Sequence, residues 1–165
     1  MLDAAGAAFA ARGFHAASMD AIAEDAGISK PMLYNYFGSK EGLYVAYLER
    51  SGHALMESMR RAASPDGPID QRLRAGILAF LGYADEHRAG WTVLYAEASK
   101  GGPLATELTG LRDRIARMLA ALFDSEVFAH AFVGAGESLT NWWLEHPDVP
   151  KGEIADVLLR IARSA

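Results

Sequence analysis

No cysteine occurs in this chain of 165 residues. Disulfides, thiolate zinc sites and cysteine nucleophiles are therefore excluded. No apolar run approaches the ~18 residues needed to cross a bilayer, and no stretch alternates apolar and polar residues over strand length. Positive charge is also scarce, since 16 Lys and Arg stand against 21 Asp and Glu for a formal net charge of −5. That balance argues against tight, indiscriminate binding to nucleic acid by bulk charge. It still permits a reader that aims a few cations one way, because the local field at the phosphates outweighs the total. His15, His53, His87, His130 and His146 show no metal-ligand spacing, no serine sits in a nucleophile elbow, and no glycine-rich loop suits a phosphate. The sequence thus predicts no catalytic residue, no metal and no cofactor. The small apolar opening Met1–Ala11 lacks a basic leader and carries Asp3, so it reads as a helix and not as a secretion signal. A soluble, cytoplasmic protein is expected.

What is present is helical period almost throughout, with 51% apolar and 22% charged residues. Helix one is expected over about Leu2–Arg12, anchored by Phe9 and stopped at Gly13. Ser18 suits the N-cap of a second helix, with Asp20 adding negative charge near its positive end. Gly27 ends it, because glycine takes the left-handed conformation at little cost. Ser29 caps a third helix with Pro31 in its first turn, where the missing N–H is no loss, and Gly38 closes it. Ser39 then starts a long fourth helix to about Ala62. The break Ser64–Pro68 reads as a hinge. Beyond it come a fifth helix marked by Ile69, Leu73, Ile77 and Phe80, a short sixth carrying Trp91 and Tyr95, and a seventh from Leu104 to Leu122. Two last helices follow, over Ser125–Glu145 and Lys151–Arg163. The expected fold is all-α, with an N-terminal three-helix unit over residues 1–46 and a helical unit over 47–165.

Two crossing helices need a small contact residue, a turn-former and an apolar wedge. Ala23, Gly27 and Leu33 stand at the spacing of a helix-turn-helix, with Ile22, Ala26, Ile28 and Phe37 filling the wedge. What points outward on the third helix is Lys30, Pro31, Met32, Tyr34, Asn35 and Tyr36. Phenols and lysine suit phosphate oxygens, asparagine suits adenine edges, and Pro and Met suit thymine methyls.

Residues Ser18–Gly27 (SMDAIAEDAG) followed by Ile28–Leu43 (ISKPMLYNYFGSKEGL) resemble the DNA-binding domain of the TetR/AcrR family of repressors. The resemblance runs without a gap over about residues 2–47; in the rear portion it extends only to helix number and length. It implies a homodimeric transcriptional repressor on double-stranded operator DNA, released by a small-molecule effector. It also implies that Lys30, Pro31, Met32 and Tyr34 face bases, with Ser29 capping and Asn35 beside them. Tyr36 and Lys40 would then hold phosphates, and Ser18 would meet the DNA backbone. Two departures stand out: Met32 replaces a small polar residue, and the sequence opens inside helix one without the basic arm that members often carry. The resemblance further suggests that some of Phe80, Tyr83, Trp91, Tyr95 and Met118 line a cavity for a mostly apolar effector.

The last two helices are too apolar for one subunit to cover. Ala129, Ala131, Gly134, Ala135 and Gly136 allow close approach, and Ile154, Val157, Leu158 and Ile161 form a full stripe. A two-fold four-helix bundle built from this pair would bury them, which predicts a homodimer through the last two helices. Glu97 and Glu137 read as ion-pair partners before ligand contacts. The competing reading is a small-molecule-binding helical dimer that has lost DNA binding, for which the acidic front half argues.

Overall fold

A computed structural model describes residues 1–63 and 66–164. Its elements are all helices: α1 (Leu2–Ala16), α2 (Met19–Asp25), α3 (Lys30–Phe37), α4 (Lys40–Ala62), α5 (Ile69–Glu86), α6 (Arg88–Ala98), α7 (Pro103–Phe123), α8 (Glu126–Glu145) and α9 (Lys151–Ala162). The all-α expectation is met. The hinge expected at Ser64–Pro68 falls in part on Ser64 and Pro65, which lie outside the described residues. The helices form two compact units, one of residues 1–52 and 87–109, the other of residues 53–86 and 110–164.

In the first unit, the first run of α1 ends at Gly13 as the sequence suggested, and a short second run follows. Gly13 breaks the helix with φ 76 and ψ 167, and helical turn resumes to Ala16. That kink turns Phe14 into the core, where it is 6% exposed. The core centres on Phe9, Ile22, Leu33, Leu43 and Tyr44, each fully buried. At about 1.5–3 kcal/mol for a fully buried large apolar side chain, these five dominate the packing of the unit. Phe9 and Tyr44 lie 4.5 Å apart centroid to centroid, and Phe14 and Tyr44 5.3 Å. Helix α6, which the sequence grouping placed with the rear helices, packs on α1. Its Leu94 is buried with the same core. The Glu97 carboxylate ties the end of α6 to α1, 3.1 Å from His15 Nε2 and 2.8 Å from Lys100 Nζ.

In the second unit, α5 packs on α9, and α8 packs on both. Ion pairs mark these seams: Arg74 Nε reaches Asp156 Oδ1 at 3.0 Å, and Arg163 Nε reaches Asp70 Oδ2 at 3.0 Å. Ser125 caps α8 by accepting from the Phe128 amide at 3.1 Å. The Trp143 indole donates to the Val149 carbonyl at 2.9 Å, which pins the loop between α8 and α9. One face of α8 buries Ala129, Phe132, Val133, Gly136 and Thr140. The other leaves Val127 82% and Trp142 46% exposed.

Candidate nucleic-acid interface and effector cavity

The α2–α3 turn is set by backbone hydrogen bonds. The Ile28 amide donates to the Ala23 carbonyl and the Gly27 amide to the Glu24 carbonyl, both at 3.0 Å. This paired 6→1 and 5→2 closure requires a left-handed residue between, and Gly27 supplies it at φ 68. The Ser29 hydroxyl accepts from the Met32 amide at 3.4 Å, and Pro31 occupies the first turn of α3. Ser18 differs from expectation. Its backbone has the extended geometry of an N-cap, but its hydroxyl makes no capping bond to α2.

Helix α3 is clamped on one side and open on the other. Leu33 is fully buried and Phe37 half-buried, while Met32, Tyr34 and Tyr36 are 45%, 41% and 63% exposed. Lys30, Pro31 and Asn35 are exposed beside them. The structure therefore groups Ser29, Lys30, Pro31, Met32, Tyr34, Asn35 and Tyr36 on one short helix and its cap, as the period implied.

Both lysines have additional attachments that the sequence did not reveal. Lys30 Nζ bonds Asp20 Oδ2 at 2.8 Å, and this hydrogen bond raises the Lys30 pKa above its ordinary value. Lys40 Nζ donates to the carbonyls of His15 at 2.9 Å and Ala17 at 3.3 Å, and lies 4.9 Å from the Phe14 ring centroid. It thus closes the carbonyl end of α1 with a positive charge, a favourable place for a cation. Sequence reasoning also missed Tyr44. Its ring completes the aromatic core, its hydroxyl is buried with no hydrogen-bond partner among the described residues, and desolvation pushes its pKa upward. The i, i+3 spacing of Tyr44 and Tyr47 was the available signal.

In the second unit, two apolar cavities share Met59, Ile77, Leu119 and Phe132 as walls. The larger, about 210 Å³, is also lined by Met118, Arg60 and Arg72, and the smaller by Phe80 and Glu137. Of the expected lining residues, Phe80 and Met118 are thus found at cavities. Tyr83, Trp91 and Tyr95 line neither of these two. Trp91 and Tyr95 belong to the first unit, 5.0 Å apart centroid to centroid. Glu137 faces Arg112 Nε, at 2.7 Å and 3.0 Å from its two oxygens. Among the described residues, no cluster of three or more His, Asp or Glu could hold a metal, and no helix is long and apolar enough to cross a membrane.

Residues 1–47 match the family described as bacterial regulatory proteins, tetR family, and residues 69–163 match the tetracyclin repressor-like C-terminal domain. The HTH-type transcriptional activator FasR of Mycolicibacterium smegmatis is 41% identical over 95 residues, 58% of this chain and 43% of that protein. The HTH-type transcriptional regulator RutR of Escherichia coli is 34% identical over 114 residues, 67% of this chain and 52% of that protein. The chain spans about half the length of the curated relatives it matches. A crystal structure of a TetR-like transcriptional regulator from a Rhodococcus species superimposes with a TM-score of 0.75 at 38% identity, covering 98% of this chain and 90% of the other. A Streptomyces coelicolor regulator at 24% identity shares the fold, with a TM-score of 0.84 over 99% of this chain and 77% of its own.

Proposed function

Because the chain belongs to the TetR family of transcriptional regulators, we propose that it is a homodimeric repressor that leaves a pseudo-palindromic operator when a small, mostly apolar ligand binds. Residues 1–46 act as the DNA reader and 47–165 as the effector and dimerisation part. Two copies of α3 enter successive major grooves about one duplex turn apart, roughly 34–36 Å. Lys30, Pro31, Met32 and Tyr34 meet base edges, Asn35 and Ser29 lie beside them, and Tyr36, Lys40 and Ser18 hold the backbone. The effector occupies the cavities of the second unit beside Phe80 and Met118. The subunits pair through α8 and α9, whose small residues allow close approach.

The observation that carries this reading is the two-sidedness of α3: Leu33 is fully buried while Tyr34 and Tyr36, which follow it within three residues, stand open. A helix stabilised by its core alone would have no need of two phenols in water. The test is an operator selected from a random duplex pool, followed by binding of Tyr34→Ala and native protein to operator and random DNA. Tyr34→Ala should lower operator affinity by about 1–3 kcal/mol while leaving random-duplex affinity nearly unchanged. Equal small losses on both duplexes would remove α3 from the groove. No salt-dependent binding by the native chain would instead favour a ligand-binding dimer without DNA. Direction of control is read with a promoter carrying that operator. Rising output on binding would make this chain an activator, as the name of FasR states for that relative.

A further inference from the structure

The larger of the two cavities described above is lined mostly by apolar side chains. Two guanidinium groups border it, Arg60 and Arg72. Arg60 is committed elsewhere, with Nε and Nη2 each 2.9 Å from a carboxylate oxygen of Glu57. Arg72 is different. Among the described residues its Nε has no hydrogen-bond partner, and that atom is closed off from solvent, which leaves the terminal amines of this half-buried side chain as the groups a ligand could meet. A permanent cation at the wall of an apolar cavity is a place where an anionic group gains a partner.

We propose that this cavity takes a small amphiphilic monocarboxylate, its carboxylate on Arg72 and its hydrocarbon tail against Met59, Ile77, Leu119 and Phe132. This rests on the reading above that the second unit holds a small apolar effector, and it adds the head group. Three observations favour a carboxylate over other polar heads. A guanidinium only donates, so the ligand must bring an acceptor. The guanidinium edge offers parallel N–H bonds that match the two oxygens of a planar carboxylate. No carboxylate is found among the described lining residues, so one guanidinium suits a monoanion, where a phosphate dianion would bring more charge into an apolar chamber than it offsets. Size narrows the class. At about 210 Å³ the cavity lies below the ~300 Å³ lower end for drug-sized ligands. A short aliphatic or aryl-alkyl chain therefore fits better than a long one.

The test holds the tail constant and changes the head. Octanoate, octanol and octylamine are titrated calorimetrically into the full chain below their aggregation limits. Octanoate should bind at least about tenfold more tightly than octanol, and octylamine more weakly than either. Arg72→Met, which keeps a stem of similar length, should bring octanoate to the affinity of octanol and leave octanol unchanged. Arg60→Met should leave the order intact. Equal binding of octanoate and octanol by the native chain would overturn the head-group assignment while keeping an apolar effector site. So would a preference that survives Arg72→Met, or one that is lost with Arg60→Met. Binding of none of the three would sink the effector chamber itself, and this proposal with it. Should Arg72→Met fail to fold, the native head-group series still decides, with Arg72→Lys expected to retain only part of the preference.

Discussion

Alanine in place of Gly42 should destabilise the protein, although helix propensity alone favours the change. Gly42 lies in the first turn of α4, where its amide donates to the Ser39 hydroxyl at 3.0 Å. Replacing a helical glycine by alanine is worth about 0.8–1.0 kcal/mol in isolation. A Cβ at this position would be driven into the Phe37 carbonyl oxygen far inside van der Waals distance, with the Phe37 carbonyl carbon at 3.3 Å. The obstacle is backbone at the end of α3, and that carbonyl also accepts from the Ser39 amide at 2.8 Å. It cannot rotate aside as a side chain can. Overpacking of this kind costs about 1–3 kcal/mol, and a backbone obstacle belongs at the upper end. The two effects combined leave a loss of about 1–2 kcal/mol, or a melting temperature lower by roughly 2–8 °C for a chain of this size. Because relief requires α3 to move, operator preference should fall further than affinity for random duplex. Thermal melts by circular dichroism and paired binding assays measure both. A melting temperature at or above that of the native chain would refute the reasoning, since propensity would then outweigh the supposed steric lock between α3 and α4.

Lys40→Ala should cost about 1–2 kcal/mol in urea unfolding through loss of its bonds to the His15 and Ala17 carbonyls, and should reduce the log–log salt slope of DNA binding by less than the ~0.9 of an uncommitted phosphate contact. A lower slope at unchanged stability would show that the ammonium does not close α1. At Gly134 a Cβ would meet open space in the single chain. Gly134→Leu should therefore fold normally yet dissociate the dimer in analytical ultracentrifugation, and an intact dimer would remove this face of α8 from the interface. The Glu97 carboxyl is held below its ordinary value of 4.5, chiefly by the Lys100 hydrogen bond and then by the His15 charge against opposing desolvation. Stability from Glu97 is accordingly complete above about pH 4.5 and disappears as pH falls through its lower folded-state value. Urea midpoints across that acid range should fall more steeply for the native chain than for Glu97→Gln, and parallel curves would disprove the latch.

The reader was legible because its determinants are local. Gly27 and Gly38 mark places where the chain takes positive φ, Ser29 caps the helix that begins beside it, and the period of Leu33 and Phe37 separates core from surface within one short helix. Each of these interactions closes within about six residues. The kink at Gly13 was half visible: the glycine announced a stop, while the resumption to Ala16 depends on Phe14 finding Phe9 and Tyr44 in the folded core. The placement of α6 was not visible at all. Trp91 and Tyr95 carry the same apolar signal whether they face an effector or α1, and only tertiary packing separates the two. Arg72 was equally silent. A cation on an amphipathic helix reads as solvated until neighbouring elements show what surrounds it.

The charge economy of the reader follows from the same non-local contacts. Lys30 and Lys40 looked like the cations that a chain of net charge −5 would aim at phosphates. In the fold, Asp20 holds the first and the carbonyl end of α1 holds the second. A duplex must compete with Asp20 for Lys30, and at Lys40 it meets an ammonium already committed to two carbonyls. In the proposed complex the counterion-release contribution of these lysines would then be smaller than their count implies, and nonspecific affinity would fall with it. The exposed side of α3 that remains is largely uncharged, made of Pro31, Met32, Tyr34, Asn35 and Tyr36. Contacts of that kind depend on base edges and groove shape more than on phosphate charge. If α3 enters the groove as proposed, an acidic chain with such a surface would discriminate chiefly by binding wrong sequences poorly, so operator preference should change little with salt while absolute affinity stays modest.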